Sequence, residues 1–306
     1  MKKLLSPMLL FLAATIWGFA FVAQKAASDV PVFILTAARS IIATLALFLA
    51  VIGFDAITKN GRALVSKKGI DINRAELIGG MLAGAALFGA TVMQQWGING
   101  TDAGKASFIT ALYVVIVPIY ALIGGKRSPL NAWIGVAIAT VGFYLLCIKS
   151  GFTVEPSDLK VFICAFIYAL QIMIIDHFIK DCDGVRFSLI QFATVSVLAV
   201  IAALIAREPF DLSAIGGAVP EVLYLGIASS GIAYTLQIIG QKNTHPAAAS
   251  IILSLESVIG AAAAALVLGE KLAVKEYVGC ALVFAAVIIS QIDVGAVLKI
   301  KRKEEN

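Results

Sequence analysis

Residues 247–268 read AAASIILSLESVIGAAAAALVL, an apolar stretch with one charged side chain, Glu256, near its centre. About 20 apolar residues in a helix are enough to cross the hydrocarbon core of a bilayer. An ionised carboxylate at the midpoint of such a helix costs on the order of 3 kcal/mol even on lenient scales. No Lys or Arg lies within the stretch. The carboxylate must therefore meet a proton, a cation or a basic side chain from another helix, and Glu256 is the first candidate for function.

The rest of the chain has the same character. It is 60% hydrophobic and 14% charged, with a mean hydropathy of +0.95. Soluble domains are roughly half apolar and about one quarter charged. Lipid satisfies no backbone hydrogen bonds, so long uncharged runs cross it as helices. The expectation is an all-α integral membrane protein. Ten apolar runs stand out: 7–26, 32–52, 77–98, 106–123, 130–148, 161–179, 187–206, 219–239, 247–268 and 274–292. The first, behind Lys2 and Lys3, is long enough and carries a Trp17 that favours a retained helix over a cleaved signal peptide. Pro118 alone sits in the middle of a run, where it frees a backbone carbonyl and predicts a kink. The four cysteines are scattered without a CxxC pair and read as small core residues.

Placing both termini in the cytoplasm puts sixteen basic residues on the inside and seven outside, with Arg39 left within a span. The inner set includes Lys59, Arg62, Lys67, Lys68 and Arg74 after the second run, and Lys299 to Lys303 in the tail. That bias orients a multi-pass protein of the plasma membrane. The basic tail suits anionic lipid and needs no nucleic acid.

An internal repeat organises the chain. At an offset of 143, Gln94 falls on Gln237, Gly97 on Gly240, Thr101 on Thr244, Ser107 on Ser250 and Leu112 on Leu255. At an offset of 151, Ile16-Trp17 matches Ile167-Tyr168. The expectation is ten transmembrane helices in two five-helix repeats, residues 1–150 and 151–306, the second carrying the basic tail. Five is odd, so the second half enters the membrane from the opposite side and the repeat is inverted. Tyr113 is the repeat counterpart of Glu256, which predicts that the two face each other from the fourth and ninth helices.

Polar side chains inside the spans gather on stripes. Trp17, Phe21 and Gln24 share one helical face, as do Tyr168 with Gln171, Thr91 with Gln94, and Tyr234 with Gln237. Aromatic and amide groups together suit a cavity that stacks an organic solute and hydrogen-bonds its polar end. The competing reading is glue between helices. The candidate substrate-binding set is Glu256, Arg39, Trp17, Gln24, Gln94, Tyr113, Tyr168, Gln171 and Gln237. Glu256 is also the candidate coupling group, and Arg39 is its candidate partner or an attractor of anionic substrate groups. No metal or cofactor is called for: Asp176, His177, Asp181 and Asp183 read as a solvated turn.

The Trp17-Gly18 pair, Arg39, the Ser107-Phe108-Ile109-Thr110-Ala111-Leu112-Tyr113 to Pro118 pattern, Leu253-Ser254-Leu255-Glu256-Ser257, and Leu268-Gly269-Glu270-Lys271-Leu272 resemble the drug/metabolite transporter superfamily, EamA type. The resemblance implies an inner-membrane carrier of small organic solutes with ten helices. Helices one to four and six to nine would surround a central cavity, with five and ten peripheral. The family often has proline on the ninth helix near Glu256 and Ser257, where this chain departs from it. The family spans many substrates, so the resemblance implies an activity class and no particular ligand.

The expected function is secondary transport of an amino-acid-like or cationic solute by alternating access, as monomer or homodimer in contact with lipid. An intramembrane hydrolase is the alternative, with Ala228-Ser229-Ser230-Gly231 as its only candidate nucleophile, but the two histidines lie near membrane borders. A receptor or scaffold is the other alternative, and it requires neither an inverted repeat nor a carboxylate at mid-membrane.

Overall fold

A computed structural model describes residues 2–58, 72–147, 155–268 and 273–291. Among these the chain is helical throughout, without strands. Eight helical spans are long and apolar enough to cross a membrane, and two shorter apolar helices, Leu130–Leu145 and Tyr277–Ser290, accompany them. Lys59, Arg62, Lys67 and Lys68 of the expected basic segment, the Gly269-Glu270-Lys271-Leu272 motif and the basic tail lie outside the described residues.

The first spans are single helices: α1 (Lys2–Ala26), α2 (Val32–Thr58) and α3 (Arg74–Gly100). Asn73 opens α3 through a capping box with Glu76, which satisfies two otherwise orphaned backbone N–H groups. The fourth span is divided into α4 (Ala103–Ala111) and α5 (Tyr113–Ile123), followed by α6 (Leu130–Cys147). In the second half, α7 (Pro156–Phe178) and α8 (Gly184–Ala206) precede the short α9 (Leu212–Gly217). The next span combines α10 (Val219–Leu223), a π-helical stretch (Tyr224–Ala233) and α11 (Tyr234–Gln241). The last described elements are α12 (Pro246–Leu253), α13 (Leu255–Leu268) and α14 (Val274–Gln291).

The packing has a two-fold logic. Helix α3 lies along α7, while α11 and the π-helical stretch lie along α1. Helix α3 also meets α8, as the π-helical stretch meets α2. Helix α1 meets α13, as α7 meets α4 and α5. Exchanging the first-half helices for their second-half counterparts turns each contact into the other. Helix α6 packs mainly on α14, away from this ring. Close approach needs glycine at two places beside the centre. A Cβ on Gly18 would lie 2.6 Å from Ile259 Cγ2 and 3.0 Å from Gly260 N. One on Gly226 would lie 2.7 Å from Ile42 Cγ2 and 3.2 Å from Arg39 O.

The kink expected at Pro118 falls earlier. Pro118 lies inside α5, and the interruption is at Leu112, where Leu112 N bonds to Ile109 O at 3.2 Å and Val115 N to Leu112 O at 3.0 Å. The chain tightens into three-residue turns there, ahead of the carbonyls that the proline leaves unpaired. The second half repeats this at Ser254, where Ser257 N bonds to Ser254 O at 3.2 Å with no proline nearby.

Candidate functional site

The two interrupted spans meet in the middle of the ring. Each break brings the start of a helix to the centre, with Tyr113 as the first residue of α5 and Glu256 as the second of α13. Beside them opens a cavity with about 460 Å³ of space between atoms, including its solvent-open part. All nine candidate residues line it: Trp17 and Gln24 from α1, Arg39 from α2, Gln94 from α3, Tyr113 from α5, Tyr168 and Gln171 from α7, Gln237 from α11 and Glu256 from α13. Thr91, on the Gln94 stripe, faces a smaller neighbouring cavity instead.

Most of the wall is cross-braced. Gln94 Nε2 donates to Thr110 Oγ1 at 3.2 Å, and Tyr168 Oη donates to Gln94 Oε1 at 3.2 Å. Gln237 Nε2 donates to Gln171 Oε1 at 3.3 Å, and Gln171 Nε2 to Gln191 Oε1 at 3.2 Å. The Trp17 indole N–H donates to Ser229 O at 3.2 Å, and its ring centroid lies 4.6 Å from that of Tyr234. Tilted aromatic pairs of this kind contribute about 0.5–1.5 kcal/mol beyond burial. The wall thus combines the cavity and glue readings, because the same amides that face the space also tie the helices together.

Four lining atoms remain without a hydrogen-bond partner: Gln24 Oε1, Gln237 Oε1, Tyr113 Oη and Glu256 Oε1. Tyr113 and Glu256 lie side by side, close enough for their side chains to interact, although Tyr113 Oη and Glu256 Oε1 are both without a partner of full hydrogen-bond geometry. Buried polar atoms are nearly always satisfied, so four such atoms in one cavity leave room there for water or a polar guest. Three of the four are acceptors, one of them a carboxylate that is 4% exposed. Such a set suits a ligand that brings N–H donors and positive charge.

Arg39 and Glu256, expected to pair in at least one transport state, are not paired in this structure. Arg39 instead donates from Nε to Ser230 Oγ and from Nη2 to Ser229 Oγ, each at 3.1 Å. Among the described residues the ion pairs are Lys105–Asp158 at 2.6 Å and Lys126–Asp176. Both join the fourth span or its flank to α7, one near each end. Three further polar lining residues, Thr110, Ser229 and Tyr234, were not among the candidates. Tyr234 was legible from its spacing to Gln237, whereas Ser229 faces the cavity from a π-helical stretch that the helical period does not anticipate. Neither His177 nor His245 lines the cavity, so Ser229 has no histidine base beside it there.

One expectation at the far end of α7 is corrected in part. Of the group at Asp176 to Asp183, His177 and Asp181 are exposed as a solvated turn requires, but Asp176 is buried and paired with Lys126, and Asp183 caps α8 by accepting from Val185 N and Arg186 N. Asp183 N in turn donates to Glu76 Oε1 at 2.8 Å, tying α8 to α3. Cys182 is buried beneath this network, with Lys242 Nζ donating to its carbonyl at 2.9 Å.

Residues 4–148 and 156–291 each match the EamA-like transporter family. An uncharacterized transporter of Archaeoglobus fulgidus is 29% identical over 294 residues, covering 94% of this chain and 86% of that one. A solved structure, described only as the crystal structure of a protein, superposes with a TM-score of 0.73 at 18% identity over 98% of both chains, a likeness of fold. The paired family matches, the helical spans and the transporter-named relative agree, and the chain belongs to the EamA-like transporter family.

Proposed function

We propose that this protein is a secondary transporter of the cell membrane that carries a small amine-bearing solute, amino-acid-like or cationic, by alternating access. The observation that carries the reading is the surplus of unpartnered acceptors at Glu256, Gln24 and Gln237 in one buried cavity. An ammonium group supplies the missing donors and the countercharge, while Trp17 and Tyr234 present aromatic surface to the rest of the solute. A proton competes with the ammonium for Glu256, which gives the carboxylate a coupling role.

Two five-helix repeats, residues 1–150 and 151–306, rock about the cavity in this reading. The paired family matches and the exchange of helix contacts between halves support it. Matched breaks at Leu112 and Ser254 supply the flexible points in the two halves. Both termini face the cytoplasm, and the carrier works as a monomer or homodimer. The test is a thermal-shift screen of the purified protein against amines and their carboxylated counterparts, followed by counterflow in proteoliposomes. A ligand at 100 times its dissociation constant adds roughly 2.7 kcal/mol of native stability. Glu256→Gln keeps the shape and removes the charge, so it should weaken an amine hit by about tenfold or more, the worth of one charge-assisted hydrogen bond. An unchanged affinity and pH response in Glu256→Gln would leave Glu256 a structural polar group.

A further inference from the structure

Arg39 stands at a wall shared by two cavities. One is the central space, and the other is a side cavity with about 190 Å³ between atoms, whose lining includes Thr36, Ser40, Thr91, Ser230 and Tyr234. The residue is 6% exposed, and no carboxylate is within ion-pair distance of it among the described residues. A guanidinium taken out of water without a countercharge is costly at any depth in a membrane.

The donor count around it is one-sided. Arg39 has five N–H groups, of which Nε and Nη2 use one each on Ser230 and Ser229. Three remain without an acceptor among the described residues. Both serine hydroxyls accept from Arg39, and neither donates onward among the described residues. A serine in a membrane helix ordinarily bonds to the carbonyl one turn back, as Ser40 does to Thr36 O at 2.6 Å and Thr36 does to Val32 O at 2.8 Å. Ser229 and Ser230 lie in the π-helical stretch and do not follow that pattern. The result is a buried positive charge with several donors that meet no acceptor among the described residues.

We propose that Arg39, Ser229 and Ser230 form a binding site for one small anion, seated where the guanidinium faces the two cavities. The ligand is compact and accepts several converging hydrogen bonds: a halide, or a carboxylate group. A free inorganic ion and the carboxylate end of a carried solute share this chemistry. The site is opposite in sign to the acceptor cluster at Glu256 and stands whether or not an amine binds there.

The experiment uses the purified full-length protein in sodium HEPES, whose bulky sulfonate is neither a halide nor a carboxylate, with chloride substituted at constant ionic strength. A saturable rise in Tm of about 2–4 °C is expected, and it should vanish in Arg39→Gln. Crystals of the unaltered protein grown in bromide give a measurement that no variant's folding can compromise: an anomalous peak within hydrogen-bonding distance of the Arg39 guanidinium. Acetate is titrated in parallel. A rise with chloride alone assigns the site to a free halide, and a rise with acetate, with or without chloride, assigns it to carboxylates. No saturable response to either anion, a response that persists in Arg39→Gln, or bromide bound only elsewhere overturns the proposal.

Discussion

Arg39 and Glu256 line the same cavity without meeting, the guanidinium held by Ser229 and Ser230 and the carboxylate beside Tyr113. Opposite charges in hydrocarbon attract strongly when nothing else competes. Here the intervening space is left for something else to fill. The stability effects of Arg39→Leu and Glu256→Leu should therefore add in the double variant, to within about 0.5 kcal/mol. A double variant that recovers much of the loss of either single one would show that the two are coupled directly.

Cys182 is unsuited to reporting topology, although its place after α7 suggests otherwise. It is 3% exposed, its thiol lies 3.0 Å from Phe178 O, and burial pushes the thiol up to about 11. Little thiolate exists at neutral pH, so an impermeant maleimide should leave Cys182 unmodified from either side. Exposed Asn243, in the neighbouring turn, gives the usable probe. Asn243→Cys should label in inside-out vesicles and stay silent in intact cells, and Asp29→Cys should do the reverse. The opposite pattern would invert the proposed orientation.

His245 caps α12, its Nδ1 accepting from Ala247 N at 3.3 Å. Burial lowers its pKa, and Lys126 adds to that while Asp176 opposes it. The folded protein thus favours the neutral ring, which alone can accept at Nδ1. Below the ordinary histidine value of 6.5 the unfolded chain takes up a proton more readily than the folded one, so this contribution is present at higher pH and is lost as pH falls through that range. Tm measured from pH 8 to pH 5 should fall more steeply for the unaltered protein than for His245→Asn, which keeps a capping group that does not titrate. Parallel curves would remove His245 from the account.

Gly226 sets the contact between the π-helical stretch and α2, directly beside Arg39. Gly226→Val should destabilise the protein by about 1–3 kcal/mol through overlap with Ile42 and the Arg39 carbonyl. Gly104, whose added Cβ meets nothing within 4 Å, is the control, and Gly104→Ala should change stability by no more than about 0.5 kcal/mol. Equal losses at the two positions would point away from packing at Gly226, since helix propensity favours both replacements over glycine.

The cavity stripes were readable because each belongs to one helix. Trp17 with Gln24, or Tyr168 with Gln171, must share a face once the segment is helical, whatever surrounds it. Tyr113 and Glu256 were readable together because a repeat relates them. The partner of Arg39 was not, since it depends on how far α2 is rotated toward the π-helical stretch, and rotation between helices leaves no trace in the period of either.

By itself the sequence determined that long apolar segments must be helical in lipid, which of their faces carry polar groups, and that two halves share one pattern. Those follow from chain-local facts: backbone hydrogen bonds that lipid cannot satisfy, and the pitch of a helix. Only the tertiary structure decided that Arg39 holds two serines, that Asp176 is buried against Lys126, and that the spans break at Leu112 and Ser254. These depend on distances of a few ångströms between segments remote in the chain. Polar contacts in a membrane interior are made with whichever group packing brings near, and packing is a property of all the helices at once.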